Sequence, residues 1–120
     1  MKKLITIFAI LICIFSTSIS IADTEDEVIN SQIISIVDFW APWCGPCRKM
    51  SVVIDEVANE FEGKVNVCKI NTDENLKSAK EYSISGLPSI LIFKDGKPIE
   101  RLVGLMPKDT LSNNIKKHLN

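Results

Sequence analysis

A nearly continuous apolar run leads into two closely spaced cysteines and then into an amphipathic segment, and this junction constrains the fold more than any other feature. The run from Ile33 to Trp40, IISIVDFW, is rich in β-branched residues, which is typical of a central strand buried on both faces. Ala41 to Pro46 holds two prolines and a glycine and predicts a loop. From Cys47 to Glu62 apolar residues recur three and four positions apart, which predicts a helix stopped by Gly63.

The rest of the chain alternates between strand-like and helix-like segments. Further strands are predicted at Val65 to Ile70, Leu87 to Phe93 and Ile99 to Val103, a hairpin turn at Asp95-Gly96, and helices at Asn75 to Tyr82 and Pro107 to Leu119. The first two strands are joined by a long helix, which is typical of a parallel βαβ unit, and the hairpin adds antiparallel strands. We therefore predict an α/β fold with a central mixed β-sheet flanked by helices on both faces.

Length and composition fit one domain without a strongly charged surface. The chain has 120 residues, and 46% of them are hydrophobic, which is enough to bury a single core. The formal net charge is -1, and the basic residues are scattered without interleaved aromatic residues. We therefore expect no binding to nucleic acid and no attraction to membranes through net charge.

The first 22 residues have the composition of a secretory signal peptide. Met1-Lys2-Lys3 is positively charged, Leu4 to Phe15 is uncharged and apolar, and the segment ends with the pattern Ser20-Ile21-Ala22. We predict cleavage after Ala22, which leaves a domain of residues 23–120 that is exported to the periplasm or another extracytoplasmic compartment. The alternative is an uncleaved membrane anchor, because the 19 residues from Leu4 to Ala22 are uncharged and approach the ~20 that span a bilayer.

Cys44 and Cys47 form a Cys-x-x-Cys motif at the start of a predicted helix. Cleavage after Ala22 would remove Cys13 and leave Cys44, Cys47 and Cys68. Three cysteines are too few for a disulfide scaffold and are odd in number. We therefore expect Cys44 and Cys47 to be the working pair and Cys68 to take no part in the chemistry. A thiol at a helix N-terminus faces free N–H groups and the positive end of the helix dipole, which should lower its pKa below the usual ~8.5. Cys44 is therefore the predicted nucleophile. Cys47, one turn further along, is predicted to resolve the mixed disulfide.

The Cys-x-x-Cys motif has two other common uses, in zinc sites and in structural disulfides. A structural zinc site needs a second pair of ligands, and the remaining candidates, Cys68 and His118, do not have that spacing. A purely structural disulfide between Cys44 and Cys47 would close a very small loop and would stabilise the fold little. Redox chemistry therefore accounts for the motif better than either alternative.

The segment from Trp40 to Cys47, WAPWCGPC, resembles the active-site signature of the thioredoxin family, and the resemblance extends from about Ile33 to Leu119. Gly86-Leu87-Pro88-Ser89 resembles the cis-proline loop of that family, and Val103-Gly104 resembles its last groove segment. The resemblance implies the thioredoxin fold and a thiol–disulfide exchange that uses no cofactor or metal. It also implies that the substrate is bound by residues around the pair, namely Trp43, Gly45, Pro46, Leu87, Pro88 and Gly104.

Asp38 lies six residues before Cys44 on an otherwise apolar strand. Burial of a lone carboxylate is costly, so its pKa should rise, and a raised pKa suits a proton acceptor for the Cys47 thiol. The resemblance implies the same role. Lys69 could place its ammonium near Asp38 and moderate the rise, or it could be a solvated lysine at the end of a strand.

The leading hypothesis is a monomeric protein-disulfide reductase that receives electrons from a membrane thiol carrier outside the cytoplasm. A disulfide oxidase or isomerase is the first alternative, because export places the protein where disulfides form. A thioredoxin-fold binding module without turnover is the second. Two departures from the family pattern accompany this hypothesis: the usual proline is missing from Met50-Ser51-Val52-Val53, and the short mature N-terminus leaves the first edge strand in doubt.

Overall fold

The secondary structure follows the predicted order of elements over residues 34–119, the part of the chain that the computed structural model describes. The elements are strand β1 (Ile34–Trp40), helix α1 (Gly45–Glu60), strand β2 (Val65–Asn71), helix α2 (Leu76–Glu81), strands β3 (Ser89–Lys94) and β4 (Lys97–Val103), and helix α3 (Lys108–Lys116). The predictions of a signal peptide, its cleavage and a first edge strand concern residues outside this range. Within residues 34–119 there is no helix long and apolar enough to cross a bilayer.

The strands form one mixed sheet, as predicted, and their order in it is β2-β1-β3-β4. β1 runs parallel to β2, with Asp38 opposite Lys69, and antiparallel to β3, with Asp38 opposite Ile90. β3 and β4 form the antiparallel hairpin, whose turn residues Asp95 and Gly96 have φ angles of 52° and 77°. These left-handed angles explain why a two-residue Asp-Gly turn is favoured there.

Helices lie on both sides of this sheet. Alternate residues of β1 point to opposite faces and pack into two separate cores, one on each side. One core lies under α1 and α3, and its fully buried members include Ile36, Ile54 and Leu111. The other contains Phe39 and Phe93 together with Tyr82, which ends α2. Every residue of β1 from 34 to 39 is buried, which confirms the predicted central strand.

Several predicted boundaries were wrong by one to three residues. α1 begins at Gly45, because Pro46 fits the first helical turn, and it ends at Glu60 rather than Glu62, with Gly63 at φ 81° in the turn that follows. β3 begins at Ser89 rather than Leu87, because the Leu87-Pro88 peptide bond is cis and precedes the strand. α2 and α3 are also shorter than predicted, with Pro107 acting as the N-cap residue of α3.

Candidate active site

The two cysteines of the motif lie at the N-terminus of α1, where the chain leaves the buried strand β1. Cys44 is the N-cap residue of the helix, and a disulfide joins it to Cys47, with the two Cα atoms 5.3 Å apart. The backbone N–H of Cys47 donates a hydrogen bond to Sγ of Cys44 at 3.2 Å. This N–H group belongs to the first helical turn, whose N–H groups have no backbone acceptor within the helix. Because it points at the sulfur of Cys44, it favours a thiolate there once the disulfide is reduced.

Both cysteines are enclosed, although one side of the motif is open. Cys44 is 5% exposed and Cys47 is 2% exposed, and they pack with Ala41 and the partly buried Trp40 and Leu87. At Gly45 a Cβ atom would meet nothing within 4 Å apart from its own neighbours in the helix. The surface is therefore open at Gly45, and Cys44 is the more accessible of the two cysteines.

The loop before β3 lies beside the disulfide. The Leu87-Pro88 peptide bond is cis, as the family resemblance implied. Leu87 packs against the cysteine cluster, and the carbonyl of Pro88 accepts a hydrogen bond from the N–H of Gly104 at 2.9 Å. Three predicted substrate-binding residues, Leu87, Pro88 and Gly104, are thus brought to one side of the active site.

Trp43 is the most exposed aromatic residue of the active site, with 70% of its surface accessible. Its indole Nε1 donates a hydrogen bond to Oδ1 of Asp73 at 3.3 Å. Asp73 was not among the residues predicted for the site. The available signal was its position just after β2, because the carboxyl ends of the parallel strands β1 and β2 meet at the same edge of the sheet.

Asp38 is a buried carboxylic acid on the face of the sheet that α1 covers. Its side chain is on the same face as Ile34 and Ile36, and it is 1% exposed. Within the described part of the chain, neither carboxylate oxygen has a hydrogen-bond partner. Burial raises the pKa of Asp38 from 3.8 to about 6, the Lys69 ammonium opposes this rise, and the Asp55 carboxylate adds to it. The predicted rise is therefore confirmed.

Lys69 does not pair with Asp38, although the two residues lie opposite one another in the sheet. Its Nζ lies 2.7 Å from Oδ1 of Asp55 and 2.7 Å from Oγ of Ser51, both on α1. The expectation of an ammonium near Asp38 is correct only as a charge acting from a distance. The alternative, a solvated lysine at the end of a strand, is correct in part: the side chain is 33% exposed, but its ammonium is bonded to the helix.

The two other residues considered as metal ligands lie away from the motif. Cys68 is buried among Val37 and Phe93, in the core on the opposite side of the sheet from α1. His118, which follows α3, places Nε2 2.7 Å from Oε2 of Glu100 on β4. Neither residue belongs to the cluster around Cys44 and Cys47.

Comparison with known proteins gives consistent results over most of the chain. The family model described as thioredoxin matches residues 17–117. Thioredoxin 1 of Nostoc sp. is 50% identical over 95 residues, which are 79% of this chain and 89% of that protein. Thioredoxin of Synechocystis sp. is 46% identical over 101 residues, 84% of this chain and 94% of the other. The chloroplastic M-type thioredoxin of Chlamydomonas reinhardtii is 46% identical over 96 residues, 80% of this chain and 69% of the other.

Proposed function

The chain belongs to the thioredoxin family and is a protein-disulfide reductase of that family, and from this premise we propose how its residues divide the reaction and where the reaction takes place. The proposal assigns attack to Cys44, resolution to Cys47 and proton acceptance to Asp38, outside the cytoplasm. The observation that carries it is the hydrogen bond from the N–H of Cys47 to Sγ of Cys44 at the start of α1. That geometry supports attack by the first cysteine rather than the second.

The first half of the reaction is attack by the reduced protein on a client, which is the protein whose disulfide is to be reduced. The Cys44 thiolate attacks one sulfur of the client disulfide, forms a mixed disulfide, and releases the other client sulfur as a thiolate. The N–H groups of the first turn of α1 favour the attacking thiolate because its charge faces the positive end of the helix dipole. The more buried Cys47 stays protonated during this step.

The second half releases the client and needs a proton acceptor. The Cys47 thiol transfers its proton to the Asp38 carboxylate, directly or through a water, and the resulting thiolate attacks Sγ of Cys44. The Cys44–Cys47 disulfide forms, and the second client sulfur leaves as a thiolate, so two electrons have passed from the protein to the client. A carboxylic acid with a pKa of about 6 suits this task, because it is ionised at neutral pH and still basic enough to hold the proton.

The exposed surface around the disulfide is the proposed client site. The backbone next to the cis Pro88 pairs with an extended client segment as a short added strand. Leu87 and Trp43 supply apolar contact beside the disulfide, and the Trp43 ring is oriented by its hydrogen bond to Asp73. Gly45, Pro46 and Gly104 complete this surface because their small or rigid backbones let the client approach closely.

The place of action is proposed from the N-terminal sequence. A charged start, an apolar stretch and a small-residue end at Ala22 support export to the periplasm or another extracytoplasmic compartment. A thioredoxin there is separated from cytoplasmic reductants, so we propose that a membrane thiol carrier reduces its disulfide again. The folded domain is proposed to act as a monomer.

Two matched variants test the division of labour, since each loses a single sulfur atom. Cys44→Ser should abolish reduction of a protein disulfide such as that of insulin by the purified protein with a dithiol donor. Cys47→Ser should instead accumulate a mixed disulfide with insulin through Cys44, visible by mass spectrometry, because attack survives and resolution does not. Normal turnover by the Cys47 variant, or trapping by the Cys44 variant, would overturn the assignment.

A further inference from the structure

Lys69 can reach two carboxylates, and the structure pairs it with only one of them. It lies opposite Asp38 in the parallel register of β1 and β2, so the two side chains are on the same face of the sheet. A lysine carries its ammonium on a flexible four-carbon stem, which allows it to turn toward the sheet neighbour or toward the helix that covers that face. The choice between these orientations decides whether Asp38 has an ionic partner.

The helix holds the ammonium with three acceptors. Nζ of Lys69 lies 2.7 Å from Oδ1 of Asp55 and 2.7 Å from Oγ of Ser51, and 3.5 Å from the backbone carbonyl of Ser51. Ser51 and Asp55 are four residues apart on α1 and therefore present their polar atoms on the same side of the helix. Together they form a receptor for the Lys69 ammonium.

Asp38 is correspondingly left without a partner. Among residues 34–119 neither of its oxygens accepts a hydrogen bond, although the side chain is 1% exposed. A proton acceptor needs open oxygens, because an ammonium bonded to the carboxylate would compete with the incoming proton and would weaken the base.

We propose that Ser51 and Asp55 are positioning residues for the reaction, because they hold the Lys69 ammonium against α1 and so keep the Asp38 carboxylate open to the Cys47 proton. The catalytic part of this statement rests on the proposed function. The structural part, that Ser51 and Asp55 control where the Lys69 charge lies relative to Asp38, does not depend on any activity.

The charges around Asp38 define the expected direction of change. β2 contributes Lys69, α1 contributes Asp55 together with Cys47, and β3 contributes the apolar Ile90. Lys69 lowers the pKa of Asp38 and Asp55 raises it. If the receptor is removed, the loosened ammonium is attracted to the unpartnered carboxylate, so proton binding to Asp38 should weaken.

A carbon-13 NMR titration of the Asp38 carboxyl in the purified disulfide form tests this directly. Ser51→Ala should weaken proton binding to Asp38 by roughly three- to tenfold, although it changes no charge, and Asp55→Asn should weaken it at least as much. Lys69→Met should strengthen it. In the Lys69→Met background, Ser51→Ala should have no effect, because the hydroxyl acts only through the ammonium.

Glu56→Gln is the matched control, since it removes an exposed carboxylate of α1 that has no ion pair among the described residues. An unchanged or strengthened proton affinity in Ser51→Ala would overturn the proposal. An effect of Ser51→Ala that persists without Lys69, or an equal effect of Glu56→Gln, would also overturn it. Because the titration needs no client, the proposal can hold even if the variants described for Cys44 and Cys47 disprove the assigned catalytic roles.

The same variants give a kinetic readout that a purely structural role would not move. With insulin as client, the pH midpoint of the resolving step should shift to lower pH in Ser51→Ala, together with a lower rate on the plateau. A uniform loss of rate at every pH, with the midpoint unchanged, would show that Ser51 supports the helix and does not position the Lys69 charge.

Discussion

Asp38→Asn should make the stability of the oxidised protein less dependent on pH. The folded protein holds the Asp38 proton up to a pKa of about 6, whereas the ordinary value of 3.8 applies to the unfolded chain. Between these two pH values the folded state binds more protons than the unfolded state, so this group lowers the stability as the pH rises through that window. The full difference between 3.8 and about 6 corresponds to about 3 kcal/mol.

Urea unfolding at pH 4 and pH 7.5 measures this effect. The buried amide of Asn has its own cost, but that cost is the same at both pH values, so the change between them isolates the carboxylate. Relative to the parent protein, the variant should gain most of the ~3 kcal/mol between pH 4 and pH 7.5. Glu56→Gln controls for loss of a surface charge and should alter stability by less than ~0.5 kcal/mol. An equal stability difference for Asp38→Asn at both pH values would refute the reasoning.

Three further predictions follow from the sequence and the fold. Export predicts that cell fractionation finds a protein shortened by the 22 residues up to Ala22 outside the cytoplasm, and that Ala22→Arg retains the full length; soluble full-length protein in the cytoplasm would contradict this. Ile54→Ala, at a fully buried position, should cost ~2–5 kcal/mol in urea unfolding, whereas Val52→Ala, at a position 58% exposed, should cost below ~0.5 kcal/mol; similar costs would contradict the assigned core. Gly104→Ala should cost ~1–2 kcal/mol because φ is +96° there, while Gly45→Ala, in the first turn of α1 with open space around it, should not; equal costs would show that the backbone of Gly104 is not constrained.

Most of the fold was predictable because the sequence patterns that indicate its strands, its turn and its βαβ connection each lie within a short segment of the chain. The continuous apolar run of β1, the Asp95-Gly96 turn and the long helix between two strands each specify an element or a connection by short-range physics. The burial of Asp38 followed from its apolar flanks, and the cis bond at Pro88 from the family resemblance. Element ends were less predictable, as at Gly45 and Ser89, because a proline nearby can either start an element or delay it.

The partners of charged side chains could not be read from the sequence. Lys69 lies opposite Asp38 in the sheet but bonds to Asp55 on α1. Which of the two carboxylates it bonds depends on the rotation of α1 about its axis above the sheet, and the helical pattern of the sequence gives that rotation only coarsely. The pairing of His118 with Glu100 could not be read either, because it depends on the approach of the end of α3 to β4. The contact of Asp73 with Trp43 joins positions 30 residues apart, and only the position of Asp73 just after β2 indicated that edge of the sheet.

The central claim is that Cys44 and Cys47 reduce disulfides, and the equilibrium of this pair with glutathione tests it most directly. Purified protein would be incubated in buffers of defined ratio of reduced to oxidised glutathione, and the fraction of disulfide would be measured after acid quenching and thiol labelling. A reductase of this family should have a potential of about −270 mV, well below that of protein disulfide isomerase at about −180 mV. A potential of about −120 mV, typical of a strong disulfide oxidant, would contradict the account.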